Sequence, residues 1–86
     1  MRLKEEFVVQ SSGKETIIIP TGLNSFLGMV RGNKTLGVIL ELLKEETTEE
    51  QIVSAMKKRF DAPEEQIRRD VEKAITKLRE IGAVDG

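Results

Sequence analysis

The sequence contains no cysteine, histidine, tryptophan or tyrosine. Without thiols or imidazoles there are no disulfides, no thiolate nucleophiles, no histidine base to activate a serine, and none of the common ligands of zinc, haem or iron–sulfur centres. No cofactor is expected. Three phenylalanines are the whole aromatic complement, too few for a platform on which nucleic-acid bases stack. An excess of one charge sign is also missing: 14 basic residues face 15 acidic ones, for a net charge of −1. Affinity for nucleic acid comes largely from a basic surface that displaces counterions from phosphates, so nucleic acid is disfavoured as the main partner. Nor is there a long apolar run. The opening MRLKEEF mixes both signs, so neither a signal peptide nor a membrane span is expected and the cytoplasm is the expected location.

What is present is the composition of a folded chain, 38% hydrophobic and 34% charged over 86 residues. Natural domains centre near about 100–150 residues, so residues 1–86 are expected to form one domain without a large catalytic cleft. Strands occupy 1–32 and helices 33–86 in this reading. Phe7-Val8-Val9 and the β-branched Thr16-Ile17-Ile18-Ile19, closed by Pro20, flank a turn cluster at Ser11-Ser12-Gly13-Lys14, as in a hairpin. A second turn-rich stretch leads to Phe26-Leu27-Gly28-Met29-Val30, read as a third strand ending near Gly32.

From Asn33 the period becomes helical. Leu36, Ile39, Leu40 and Leu43 share one face behind Asn33 as N-cap. Gly37 inside this helix costs about 1 kcal/mol relative to alanine, which fits either a neighbouring backbone close by or, equally, a position not tuned for helix. Thr48-Glu49-Glu50-Gln51 is a capping box opening a second helix with the stripe Ile52, Val53, Ala55, Met56 and Phe60; Lys57, Lys58 and Arg59 fall in its last turn, where the helix dipole favours cations. Asp61-Ala62-Pro63-Glu64 combines an aspartate cap, a first-turn proline and a glutamate at the capping-box position. A third helix then carries Ile67, Val71, Ala74, Ile75, Leu78 and Ile81 at helical spacing before Gly82. Three strands followed by three helices make an α+β fold, a winged helix-turn-helix with a three-stranded antiparallel sheet.

Motifs for chemistry fail on spacing or setting. Gly28-Met29-Val30-Arg31-Gly32-Asn33-Lys34-Thr35 resembles a phosphate-binding loop, but three residues rather than four separate its glycines and Asn33 displaces the lysine. Glu45-Glu46, Glu49-Glu50 and Glu64-Glu65 flank helix starts, where acids complement the dipole, rather than an enclosed site. No enzymatic activity is expected. The architecture also suits a winged-helix DNA-binding regulator, the alternative reading. Against it, the exposed positions of helix three mix Glu64, Glu65, Asp70, Glu72 and Glu80 with Arg68, Arg69, Lys73, Lys77 and Arg79, and the acids would oppose phosphates. An open sheet edge, by contrast, exposes backbone donors and acceptors that an extended peptide, or a second copy of the chain, can complete.

From Asn33 onward a run of features has a recognisable order. Asn33-x-Thr35 opens a helix containing Leu42-Leu43, and Thr48-x-Glu50-x-Ile52-Val53 opens the next; Phe60-Asp61, Asp70-Val71, Leu78-Arg79 and Gly82-Ala83-Val84 follow. This run resembles the PqqD family, small proteins named for pyrroloquinoline quinone (PQQ) biosynthesis and grouped with the recognition elements of ribosomal peptide modification (RiPP recognition elements). The resemblance implies a non-enzymatic, chaperone-like module that grips the leader of a precursor peptide and delivers it to a modifying enzyme, often of the radical S-adenosylmethionine class. It also implies that the leader adds as a strand beside the third strand, in a groove made with the third helix. By position, Leu27, Gly28, Met29, Val30 and Arg31 would then supply the edge. Arg68, Glu72, Ile75 and Arg79 lie along one margin of helix three, with Arg69 and Lys73 farther round. The sequence does not fix which margin faces the groove; the one carrying Ile75 is favoured, because an apolar residue there extends the core stripe toward a second surface.

Overall fold

The β-prone runs pair as their alternation demands. In the computed structural model, which describes residues 1–22 and 28–84, β1 (Phe7–Ser12) and β2 (Glu15–Pro20) form an antiparallel hairpin. Its turn is Gly13-Lys14 alone, tighter than the four-residue cluster the sequence suggested. Ser11 and Ser12 belong to β1, opposite Thr16 and Glu15. Glycine is needed there because Gly13 has φ +60°, and two-residue turns with a left-handed first position match the twist of the flanking strands.

β3 (Val30–Asn33) pairs antiparallel with β2, Val30 opposite Ile18 and Asn33 opposite Glu15. The third strand therefore starts later than expected. Gly28 and Met29 precede the ladder, and Phe26 and Leu27 lie outside the described residues. Gly28 has φ +73°, which interrupts an extended run, and a Cβ placed on it would touch nothing. Its glycine thus serves backbone conformation.

Helix α1 (Lys34–Leu42) starts at Asn33, whose side chain accepts from the Leu36 amide at 3.0 Å. It lies directly on the sheet: a Cβ on Gly37 would collide with Oγ1 of the buried Thr16 in β2. The close neighbour at Gly37 is therefore a side chain, not a backbone. Helix α2 (Glu49–Arg59) begins with both bonds of the Thr48/Gln51 capping box in place. Helix α3 (Glu64–Glu80) is capped by Pro63 with no side-chain bond, so Asp61 is not the cap. Pro63, at φ −60° and ψ 144°, holds the chain extended until Glu64, and the carboxylate of Glu64 pairs with Lys57 of α2 instead of closing a capping box.

The core joins the inner face of the sheet, Phe7 and Ile18, to Ile39, Leu40 and Leu43 of α1, Ile52, Val53 and Met56 of α2, and Ile67, Val71, Ile75 and Leu78 of α3. A strap that periodicity could not reveal closes the other end. Leu3 bridges to Val84, and the Leu3 and Lys4 amides donate to the carbonyls of Leu43 and Ala83, each at 2.8 Å. No helix among the described residues is long and apolar enough to cross a membrane.

Candidate functional site

The strand order β1-β2-β3 leaves β3 at the margin of the sheet, its outer side unpaired among the described residues. Hairpin geometry says which backbone groups face outward. A two-residue turn makes Ser12 and Glu15 a hydrogen-bonded pair, and bonded and non-bonded pairs then alternate along each ladder. Glu15 thus points its amide and carbonyl at β1, while Thr16 and Ile18 point theirs at their β3 partners, Gly32 and Val30. Arg31 is left with amide and carbonyl directed away from the sheet, and Asn33 with its amide, since the Asn33 carbonyl, as the N-cap of α1, takes the first intrahelical bond. Side chains alternate as well: Val30 and Gly32 share the inner face with Ile18 and Thr16, and Arg31 shares the outer face with Ile17 and Glu15. The Arg31 Nε lies 3.4 Å from a Glu15 carboxylate oxygen, on a side chain that stays 70% exposed.

Beside this edge runs a gap. Helix α3 packs on α1 and α2 but does not reach β3. The space left is a depression of about 270 Å³ lined by Asn33, Thr35, Leu36 and Ile39 on one side and Asp70, Lys73 and Ala74 of α3 on the other. Leu36 and Ala74 supply its apolar surface, over the fully buried Ile39, and Asn33, Thr35, Asp70 and Lys73 make the rest of the lining polar. Gly32 helps to shape it, since a Cβ there would run into Leu36; the bare backbone lets the Leu36 side chain lie over the strand.

The opposite flank of α3 is closed off from the sheet by ion pairs to α2, which span a depression of about 380 Å³ between Glu50, Val53, Lys57, Glu64 and Arg68. Arg68 donates to both carboxylate oxygens of Glu50 on α2 and lies 4.0 Å from Glu64, which in turn pairs with Lys57. Hydrogen bonding to Arg68 holds the Glu50 carboxyl below its ordinary range, and hydrogen bonding to Lys57 does the same for Glu64. The bond to Glu50 raises Arg68 further above its already high value.

These positions sort the residues singled out from the sequence. Val30 and Arg31 are in β3, and Gly28 and Met29, both exposed, lead into it; Leu27 is outside the described residues. On α3 only Lys73 lines the gap. Ile75 is 1% exposed and belongs to the core, so it forms no margin and offers no surface. Its burial follows from its place between Val71 and Leu78, all three facing α1 and α2. Arg68 is engaged with α2, and Glu72 and Arg79 follow it at helical spacing on that same flank. Arg69 is exposed on the outer side. The favoured margin is thus the one turned away from β3. Sequence reasoning missed Asn33, Leu36, Asp70 and Ala74 as lining residues. A signal existed in Ala74, a small apolar residue flanked by exposed charge, at the border of the stripe opposite Arg68.

Comparison with known proteins bears on the fold and the family. No curated protein matches the chain. Among solved structures, TbiB1 in complex with the TbiA(beta) leader peptide superposes with a TM-score of 0.81 at 17% identity, over 100% of this chain and 96% of that one. That likeness establishes the shared fold, three antiparallel strands followed by three helices. A family model described as coenzyme PQQ synthesis protein D (PqqD) matches residues 20–84, from the last residue of β2 to the end of the described chain, and the chain belongs to the PqqD family.

Proposed function

We propose that this protein is a non-enzymatic peptide-recognition module that binds the leader of a ribosomally made precursor by strand addition and presents it to a separate modifying enzyme, one of the radical S-adenosylmethionine class being the expected kind. The observation that carries the reading is the β3 edge, unpaired among the described residues, with the outward amide and carbonyl of Arg31 and the outward amide of Asn33, running beside a gap against α3 whose apolar part is Leu36 and Ala74. An extended peptide gains backbone hydrogen bonds from such an edge, and its alternate side chains enter the gap. Membership of the PqqD family and likeness to a protein solved with a leader peptide support the same reading. The mixed charge of the α3 surface and the net charge of −1 give a DNA-binding role no comparable support.

The test is an NMR titration of the isotope-labelled protein with the leader segment of a short precursor encoded beside it. Amide shifts confined to Val30–Asn33 and Asp70–Ala74 are expected, with affinity only weakly dependent on salt. Ala74→Arg, which fills the gap from an only half-buried position, should weaken binding by about tenfold and leave the fold intact. Shifts confined to the α2 face, or binding that collapses by about a thousandfold between low and moderate salt as counterion release dictates, would sink the proposal.

A further inference from the structure

β3 reads Val30-Arg31-Gly32-Asn33, and its two faces offer a guest strand different chemistry. On the outer face stands Arg31. Its backbone groups point to the open edge, so a guest residue paired with them lies directly across from it with its side chain on the same face. Within the protein the guanidinium lies beside Glu15, its Nε 3.4 Å from a carboxylate oxygen, and it pairs with no other carboxylate among the described residues. On the inner face Gly32 has no side chain, and the space above it belongs to Leu36. A guest side chain across from Gly32 therefore turns into the gap, where it meets Leu36 and Ala74.

Resting on the peptide-recognition reading, we infer that this protein selects peptides in which a carboxylate side chain, placed across from Arg31, adjoins an apolar side chain, placed across from Gly32 and seated between Leu36 and Ala74. Opposite charges directly across a ladder attract, like charges repel, and neighbouring residues of a strand alternate between faces. The two requirements therefore fall on adjacent guest residues, and neither can be met by the other face. A second copy of β3 is the poorer occupant of the same edge. It carries arginine and no acid, so it brings a like charge to the position where a carboxylate fits.

Three labelled synthetic strand peptides, identical except at two adjacent central residues, test this. They are named by the residue facing Arg31 and then the residue facing Gly32, which in an antiparallel guest run in the reverse order along the peptide. The first carries Glu-Val, the second Lys-Val and the third Glu-Asp, with binding followed by fluorescence anisotropy and β3 amide shifts. The Glu-Val peptide should bind about fivefold tighter than Lys-Val, and Glu-Asp should lose about tenfold because a carboxylate would be set against Leu36 and Ala74. Arg31→Glu should reverse the order of the first two. Glu15→Gln, which removes the intramolecular competitor without touching the edge, should tighten Glu-Val and leave Lys-Val unchanged. Equal affinities with shifts at β3 would overturn this selectivity and leave peptide recognition standing, whereas no shift at β3 with any of the peptides would overturn both.

Discussion

Along α3, Arg68 reaches across to Glu50 and sits near Glu64, while on the other flank Ala74 and Lys73 border an open gap beside β3. One helix thus carries a closed margin and an open one. The closed flank is where α2 docks, with Val53 and Met56 in the core and charged pairs sealing the rim. The open flank is held apart by α1. Gly37 lets that helix sit down on Thr16, and Asn33 starts it directly at the end of β3, so α1 occupies the ground between strand and helix without filling it. In a small domain, the side of a helix left for a guest is therefore decided by where its neighbours dock more than by what it displays.

The largest expected effect tests the boundary between the two margins. Ile75→Ala should lower unfolding free energy by about 3 kcal/mol, as expected for truncating a fully buried isoleucine, measured by urea denaturation. The folded fraction should bind peptide as the parent does. A change of less than about 0.5 kcal/mol accompanied by lost binding would return Ile75 to the groove and undo the comparison.

A smaller effect separates the two sides of β3 itself. The Val30 amide points at Ile18, so Val30→Pro removes a ladder bond and leaves a carbonyl in the sheet without its donor, a loss of about 1–3 kcal/mol in stability. The Arg31 amide points outward, and proline is tolerated where a strand's amide faces away from the sheet. Arg31→Pro should therefore keep the fold and weaken peptide binding by about tenfold or more, the worth of one backbone hydrogen bond and the lost guanidinium. The opposite pairing of outcomes would mean that the ladder alternates in the other sense.

Much of this architecture was legible in the sequence, because local rules acted alone. The Thr48/Gln51 capping box, the Asn33 cap and the helical stripes depend on residues within a turn of one another. The site was only half legible. That a third strand would lie at the sheet's edge follows from strand count and order, but the register that turns Arg31 outward follows from the two-residue hairpin, which the Ser11-Ser12 pair concealed by resembling turn residues. Periodicity placed Ile75 in the apolar stripe and identified two margins; choosing between them requires knowing where α2 docks. The pairing of Arg68 with Glu50 joins residues 18 apart in sequence, and no local pattern announces it. The cap at Pro63 was misread for a related reason: Asp61 satisfies the local preference, yet extended backbone at the proline delays the helix past its reach.

The smallest effect concerns the closed margin alone. Glu50 and Glu64 have carboxyls held below their ordinary value of 4.5 by hydrogen bonds to Arg68 and Lys57. A group whose folded value is depressed contributes stability that is complete above its ordinary value and is lost as pH falls through the depressed one. The α2–α3 rim should accordingly weaken below about pH 4.5 and be indifferent to pH between about 6 and 8, with Arg68 charged throughout. Because these groups are exposed, the contribution is small and screened by salt. Replacing both acids, Glu50→Gln with Glu64→Gln, should flatten the acid limb of the urea midpoint measured against pH while leaving peptide affinity at neutral pH unchanged, since neither residue borders the gap. If that double variant lost peptide binding at neutral pH with its midpoint unmoved, the rim beside α2, and not the gap beside β3, would be where the guest sits.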